Sequence, residues 1–380
     1  MAASLPPPRI VPKPVRKAVD RAVLSVVNAL VYLVDGGQRP QMGNAAKDLI
    51  FRRDKLELWR IRSVEAEQVE LGHSEIEVDL APRLGIPVLL IPPLMVRPYV
   101  YDLRPDHSMI RCLRNAGFDV YLIDFGIPDT SDEGLSLDDY VLDFVPRCID
   151  ATLADAKTSE LALVGYCMGG LFALIHAAAF RDDRVRAIVT VAAPVDFDRM
   201  GMLTVAARLG APFVDTVMDR LGNIPGEWSS TGFKLMGGPK LLTRYFDLAL
   251  NLWDEDYVKS HDAVETWLTD MIPYPKEAFK QLVRDMVTGN QLVQNELRFG
   301  DRHVDLRAVT CPVLAFAGKS DNVAPPRSTQ RILDVLGSTD KTYRLAPGGH
   351  IGIIAGSKAQ AAVWNPMVEW LVDRLLKKRE

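Results

Sequence analysis

The chain has 380 residues, of which 48% are apolar and 25% charged, and its formal net charge is −4. This balance excludes a disordered chain, and no basic domain of the kind that binds nucleic acid is present. Four scattered cysteines without a C-x-x-C pair exclude a disulfide framework and the usual zinc pattern, so we expect reduced thiols in a cytoplasmic protein.

Residues 1–45 form a segment with a composition of its own. A proline-rich, basic lead precedes an almost continuously apolar run at 22–34. A signal peptide is the alternative, but no small-residue cleavage site follows, and Asp35-Gly36-Gly37 is a typical helix end. The run is too short to cross a bilayer. We therefore expect an amphipathic or buried helix that docks on the protein body or on a hydrophobic partner surface.

From residue 54 onward, strand and helix patterns alternate. Residues 55–62 and 76–80 have the alternating pattern of strands, and we expect these two strands to pair. Continuous apolar runs, typical of central strands covered on both faces, follow at 86–93, 119–123, 161–164 and 185–192. Predicted helices separate them, at 108–116, 137–154 and after 168. This alternation predicts a mostly parallel sheet with helices on both faces.

The alternation stops after Pro194. Residues 196–299 have a helical pattern rich in aromatic residues, which predicts a helical cap inserted between two strands; additional packing of the main body is the alternative. The sheet pattern resumes with strands at 311–318 and 342–345, and a helix at 359–377 ends the fold. We therefore divide the chain into an N-terminal segment (1–45), an α/β core (46–195 and 300–380) and a cap (196–299).

The strand at 161–164 leads directly into the turn Gly165-Tyr166-Cys167-Met168-Gly169-Gly170. This is the layout of a nucleophile elbow, G-x-nucleophile-x-G, in which a strained residue between strand and helix needs neighbours without side chains. Cysteine stands at the position where such hydrolases usually carry serine. The turn alone leaves open a second interpretation, a buried structural cysteine.

Two later loops supply the base and the orienting acid that a thiol nucleophile needs. Asp321 follows the strand at 311–318, and His350 lies in a glycine-rich loop after the last strand. The chain order nucleophile, acid, histidine is that of the α/β-hydrolase fold. The sequence therefore predicts this fold with a Cys167-Asp321-His350 triad.

An oxyanion hole requires two backbone N–H groups near the nucleophile. We expect one from Met168, which directly follows Cys167, and the other from the loop after the strand at 86–93. Met95 is the residue that we assign there, with its neighbour Val96 as the alternative.

The chain resembles the polyhydroxyalkanoate synthases, and the two-subunit short-chain type in particular. The box G-x-C-x-G-G at 165–170 matches that family, and the likeness extends over about 45–375. Further matching segments lie at 54–60, 97–103, 119–129, 137–140, 222–227, 304–306 and 349–357. The chain departs from the family at Val96, where asparagine is usual, and at Phe125, where tryptophan is usual.

The resemblance implies that Cys167 takes a 3-hydroxyacyl group from coenzyme A as a thioester, with His350 as base and Asp321 activating the 3-hydroxyl for chain elongation. It also implies a polyester product, association with polyester granules and a second synthase subunit, and we expect a homo-oligomer. Coenzyme A is expected only as the carrier of the substrate; no metal, cofactor, transmembrane segment or nucleic-acid partner is expected. The alternatives are hydrolysis by the same triad, as in a thioesterase, esterase or polyester depolymerase, and a catalytically inactive granule-surface protein.

Overall fold

The computed structural model describes residues 17, 21–28, 42–64, 66–71, 74–79, 82–236 and 240–376. The chain divides into two compact units. The smaller unit comprises Met1–Pro40 and Gly238–Thr266, and the larger comprises Gln41–Gly237 and Trp267–Glu380.

An eight-stranded sheet forms the centre of the larger unit, in the order β1-β2-β8-β5-β9-β10-β13-β14. The strands of the chain are β1 (Lys47–Arg53), β2 (Leu56–Ile61), β3 (Ala66–Leu71), β4 (Ser74–Asp79), β5 (Pro87–Ile91), β6 (Asp102–Arg104), β7 (His107–Ser108), β8 (Asp119–Asp124), β9 (Leu161–Tyr166), β10 (Val185–Val191), β11 (Arg298–Phe299), β12 (Arg302–His303), β13 (Val313–Gly318) and β14 (Lys341–Ala346). All pairs from β8 to β14 are parallel, whereas β1 and β2 pair antiparallel at one edge. The predicted mostly parallel sheet is confirmed.

Helices fill the connections between these strands. They are α1 (21–28), α2 (Met109–Asn115), α3 (Val145–Ala156), α4 (Met168–Phe180), α5 (Met202–Leu221), α6 (Gly226–Met236), α7 (Lys240–Asn251), α8 (Glu255–Thr269), α9 (Lys276–Gln281), α10 (Gln291–Gln294), α11 (Pro326–Thr329), α12 (Ile332–Val335), α13 (Gly352–Ala355) and α14 (Asn365–Leu376). The smaller unit contains α1, α7 and most of α8. Among the described residues, no helix has both the length and the apolar character needed to span a bilayer.

The central strands are buried on both faces. Every residue of β5, β9 and β13 is buried, and because successive side chains of a strand point to opposite faces, both faces of the sheet must be covered there. Helix α4 is apolar on all sides, and ten of its 13 residues are buried, as expected for a helix inside a core. The core therefore holds α4, and with it the elbow, rigidly against the sheet.

The predicted pairing of the first two strands is wrong. The strand predicted at 76–80 corresponds to β4, which pairs with β3, whereas β2 lies between β1 and β8. The sequence pattern did not reveal β1, whose KDLIFRR sequence carries charges at both ends. A turn at Asp54, with φ 53°, closes the β1–β2 hairpin and gives β2 its nearest partner.

Helices α5 to α10 occupy the stretch between β10 and β13. The division of the chain into a segment 1–45, a core and a cap 196–299 stays a prediction. Of the helix predicted at 22–34, residues 22–28 are helical, and 29–34 lie outside the described residues.

Candidate active site

Cys167 lies at the turn between β9 and α4. Its φ of 52° and ψ of −119° are a conformation that residues with side chains rarely adopt. Its backbone N–H donates to the carbonyl oxygen of Val191 at 2.8 Å, and its own carbonyl accepts from the N–H of Gly170 at 3.0 Å. Hydrogen bonds on both sides therefore hold the strained residue in place.

The glycines of the turn are required by close packing. A Cβ atom at Gly169 would collide with the carbonyl oxygen of Ile91 at the end of β5, and one at Gly165 would collide with the backbone of Gly169. The start of α4 thus lies closer to the sheet than any side chain permits. This explains in physical terms why glycine stands two residues before and two residues after the cysteine.

The loops after β13 and β14 bring Asp321 and His350 together. Nδ1 of His350 lies 2.8 Å from Oδ2 of Asp321. The other oxygen of Asp321 accepts hydrogen bonds from the backbone N–H groups of Val323 and Ala324, each at 2.8 Å. The two loops are also joined directly, because the N–H of Ser320 donates to the carbonyl oxygen of Gly348 at 3.0 Å. The imidazole is therefore oriented by a carboxylate that is itself fixed.

His350 is buried among aromatic side chains and is only 5% exposed. Its ring centroid lies 5.2 Å from that of Tyr166 and 6.1 Å from that of Phe233, in α6. The Tyr166 hydroxyl donates to the backbone carbonyl oxygen of His350 at 3.1 Å. The ring is thus held in an enclosed setting that limits the access of water.

Burial alone would lower the pKa of His350, but the charge of Asp321 and the proximity of Cys167 outweigh it, so the pKa is raised. Nε2 of His350 is buried and has no hydrogen-bond partner among the described residues. Since Nδ1 is engaged by Asp321, Nε2 is the ring nitrogen left for Cys167. The structure thus places the three residues of the predicted triad in one cluster.

The two residues weighed for the oxyanion hole differ in their backbone bonding. The N–H of Val96 donates to the carbonyl oxygen of Leu94 at 2.7 Å, which closes a tight γ-turn around Met95, whose φ is 57°. The N–H of Met95 has no partner among the described residues. Met168 is the first residue of α4, a position whose N–H has no acceptor within the helix. Of the residues weighed for the oxyanion hole, Met95 and Met168 are therefore those whose N–H groups are not engaged by a described backbone carbonyl oxygen.

Two residues outside the predicted triad and oxyanion hole, Asp270 and Tyr101, form contacts around the site. Oδ2 of Asp270 lies 2.7 Å from Nε of Arg97 and accepts a hydrogen bond from the Tyr99 hydroxyl at 2.6 Å. Both partners lie on the loop that contains Met95, and the carbonyl oxygen of Met95 accepts from the N–H of Ile272 at 3.0 Å. Residues 270–272 therefore anchor this loop.

Tyr101 connects the ends of two central strands. Its hydroxyl donates to the carbonyl oxygen of Ile91 at 2.7 Å and accepts from the N–H of Tyr166 at 3.0 Å. Such contacts between distant segments leave no pattern in the sequence.

Within the described part of the chain, no group of three or more His, Cys, Asp or Glu side chains is arranged to hold a metal ion.

Comparisons with known proteins agree with this fold. The family model described as "alpha/beta hydrolase fold" matches residues 100–357. The chain is 34% identical over 337 residues to the poly(3-hydroxyalkanoate) polymerase subunit PhaC of Allochromatium vinosum, covering 87% of this chain and 90% of that protein. It is 32% identical over 339 residues to the subunit of the same name from Haloferax mediterranei, covering 88% of this chain and 65% of the relative. A soluble variant of the monoglyceride lipase of Saccharomyces cerevisiae matches 88% of this chain and 97% of its own with a TM-score of 0.53 and 16% identity, a likeness of fold alone.

Proposed function

The chain belongs to the poly(3-hydroxyalkanoate) polymerase family, within the α/β-hydrolase fold, and we propose that it polymerises 3-hydroxyacyl groups from coenzyme A through an acyl-Cys167 intermediate. The observation that carries the proposal is the cluster of Cys167, on a strained elbow, with His350 and a buried Asp321. A thiol nucleophile suits a thioester substrate, because the transfer exchanges one thioester for another.

In the first half-reaction, Nε2 of His350 takes the proton of the Cys167 thiol, and Sγ attacks the thioester carbonyl carbon. The N–H groups of Met95 and Met168 bind the oxygen that becomes negative. The carbon–sulfur bond to coenzyme A then breaks, the coenzyme A sulfur takes the proton from His350, and the acyl group remains on Cys167.

In the second half-reaction, the 3-hydroxyl of another 3-hydroxyacyl group attacks the carbonyl carbon of acyl-Cys167. His350 takes the hydroxyl proton, an ester bond forms, and the Cys167 sulfur leaves and recovers the proton. Both oxygens of Asp321 are engaged and its side chain is 0% exposed, so we assign to Asp321 the positioning of His350 rather than direct contact with the 3-hydroxyl.

Polymerisation competes with hydrolysis of the acyl-enzyme, so water must be kept away from Cys167. The burial of His350 and the Phe233 ring near it support transfer to a hydroxyl over transfer to water.

The two relatives described above are named polymerase subunits, and we propose that this chain also takes a second subunit. Association into a homo-oligomer and binding to the polyester granule belong to the same proposal.

The test is incubation of the purified protein with 3-hydroxybutyryl-CoA. We expect release of coenzyme A, insoluble polymer, and a mass increase of one acyl group on Cys167 in a single turnover; the Cys167→Ala variant should show none of these. Release of coenzyme A with free acid and without polymer would identify a hydrolase instead. No release, and no labelling of Cys167 by iodoacetamide, would contradict both enzymatic functions.

A further inference from the structure

Tyr274 carries a buried hydroxyl that has no hydrogen-bond partner in the described part of the chain. The side chain is 1% exposed. Buried tyrosine hydroxyls are nearly always paired, because an unpaired one loses its bonds to water without replacement. A polar group left in this state next to a candidate active site is therefore suited to bind a ligand.

The backbone around Tyr274 is fixed. Its N–H and its carbonyl oxygen both bond to Ile224, each at 2.9 Å. Two residues earlier, the N–H of Ile272 donates to the carbonyl oxygen of Met95 at 3.0 Å. The Tyr274 ring packs edge-on against that of Phe279, with the centroids 5.8 Å apart. Tyr274 thus lies on a rigid segment that is hydrogen-bonded to the loop containing Met95.

The Tyr274 hydroxyl also lies within electrostatic reach of the nucleophile. Burial, and then the neighbouring Tyr140 and Cys167, raise the pKa of Tyr274 above its usual range, so the hydroxyl stays protonated. Cys167 also raises the pKa of Tyr101 and Tyr166, but the hydroxyls of both residues donate to backbone carbonyl oxygens. Of these three phenols near Cys167, that of Tyr274 is the one left unpaired.

We propose that the Tyr274 hydroxyl hydrogen-bonds the 3-hydroxyl of the acyl chain bound at Cys167, and so selects 3-hydroxyacyl thioesters over plain acyl thioesters. This inference rests on the proposed function. The thioester oxygen is bound by the amides of Met95 and Met168, so the 3-hydroxyl is the remaining polar group of a 3-hydroxybutyryl chain. A phenol both donates and accepts hydrogen bonds, as a hydroxyl partner requires.

The experiment compares Tyr274→Phe with the unchanged protein in single-turnover release of coenzyme A from 3-hydroxybutyryl-CoA and from butyryl-CoA. The unchanged protein should release coenzyme A faster from 3-hydroxybutyryl-CoA than from butyryl-CoA. In Tyr274→Phe, the ratio of these two rates should fall by about ten- to a hundredfold, because only the rate with 3-hydroxybutyryl-CoA decreases. Tyr121→Phe is the matched control, because the Tyr121 hydroxyl donates to Asp155 at 2.6 Å, and its preference should be unchanged.

Equal slowing of Tyr274→Phe on both substrates would indicate a structural role and overturn the inference, as would an unchanged preference. Should the variant fail to fold, as judged by thermal unfolding, the unchanged protein still provides a test, because the absence of any preference for 3-hydroxybutyryl-CoA would overturn the inference. Failure of the unchanged protein to release coenzyme A from either substrate would instead refute the proposed function.

Discussion

His350 and Asp321 form a buried pair in which Nδ1 lies 2.8 Å from Oδ2, and their side chains are 3% and 0% exposed. Because backbone N–H groups hold the far oxygen of Asp321, the carboxylate cannot turn away, and the ring keeps Nε2 free for Cys167. The same pairing stabilises the protonated imidazole. The position of the His350 ring and its protonation therefore both depend on Asp321, and the effect on protonation can be measured as a pH dependence of the free energy of unfolding.

Asp321→Asn should destabilise the protein more at pH 6 than at alkaline pH. The pKa of His350 is raised in the folded state, so its contribution to stability is fully present below the ordinary value of about 6.5 and is lost as the pH rises through the folded pKa. Loss of one partner of a buried pair costs about 3 kcal/mol, and this is the effect we expect at pH 6. The free energy of unfolding in urea, measured for both proteins from pH 6 to pH 10, tests this; a pH-independent difference would contradict it.

Cys167→Ser should lower turnover by orders of magnitude, because a serine hydroxyl is a far weaker nucleophile unless its base is retuned. Near-normal turnover would refute the role of Cys167. The control is Cys311→Ser, which should leave turnover unchanged, because Cys311 lies two residues before β13 and therefore at the opposite end of that strand from the Asp321 loop.

Iodoacetamide at pH 8 should label one cysteine per chain, Cys167. Burial raises the pKa of Cys112 to about 11, that of Cys311 to about 12 and that of Cys148 well above its ordinary value, so all three are almost wholly protonated and unreactive. Peptide mapping by mass spectrometry gives the measurement. Equal labelling of Cys311 would contradict the expectation.

The sequence predicted those parts of the site that local patterns determine. Gly165 and Gly169 mark the elbow because backbone collisions forbid any other residue there, and a loop after a buried strand is where the acid and the histidine of this fold occur. The sequence did not predict the pairing of β4 with β3 or the existence of β1, because strand partners depend on contacts that no short pattern encodes. The contacts of Asp270 with Tyr99 and of Tyr274 with Ile224 were not predicted for the same reason, since they join residues that are far apart in the chain.

Gly169→Ala should disrupt the elbow, because the added methyl group would collide with the carbonyl oxygen of Ile91. We expect a loss of about 1–3 kcal/mol in the free energy of unfolding, as for other overpacked cores, together with a large loss of turnover. Gly210→Ala is the matched control. Gly210 lies within α5, and a Cβ there meets nothing within 4 Å, so this change should be neutral or stabilise by up to about 1 kcal/mol. Similar effects of the two substitutions would contradict the packing argument.

Asp270→Ala should lower turnover without unfolding the protein. The Asp270 carboxylate is 42% exposed, and an exposed ion pair such as that with Arg97 contributes at most about 1 kcal/mol to stability. Its removal, however, also frees Tyr99, and both residues lie on the loop that presents the N–H of Met95. Since small displacements of a group that binds the transition state are costly, we expect turnover to fall about tenfold or more, with a smaller change in KM.

The matched control for Asp270→Ala is Asp150→Ala. Asp150, in α3, is 64% exposed and pairs with Arg184 at 2.7 Å. The two variants lose equivalent surface ion pairs, so steady-state kinetics and urea unfolding on both separate positioning from stability. If Asp270→Ala and Asp150→Ala have the same turnover, the anchoring of the loop by Asp270 does not matter for catalysis, and the geometry of the Met95 amide must be maintained by the bond from Ile272 alone.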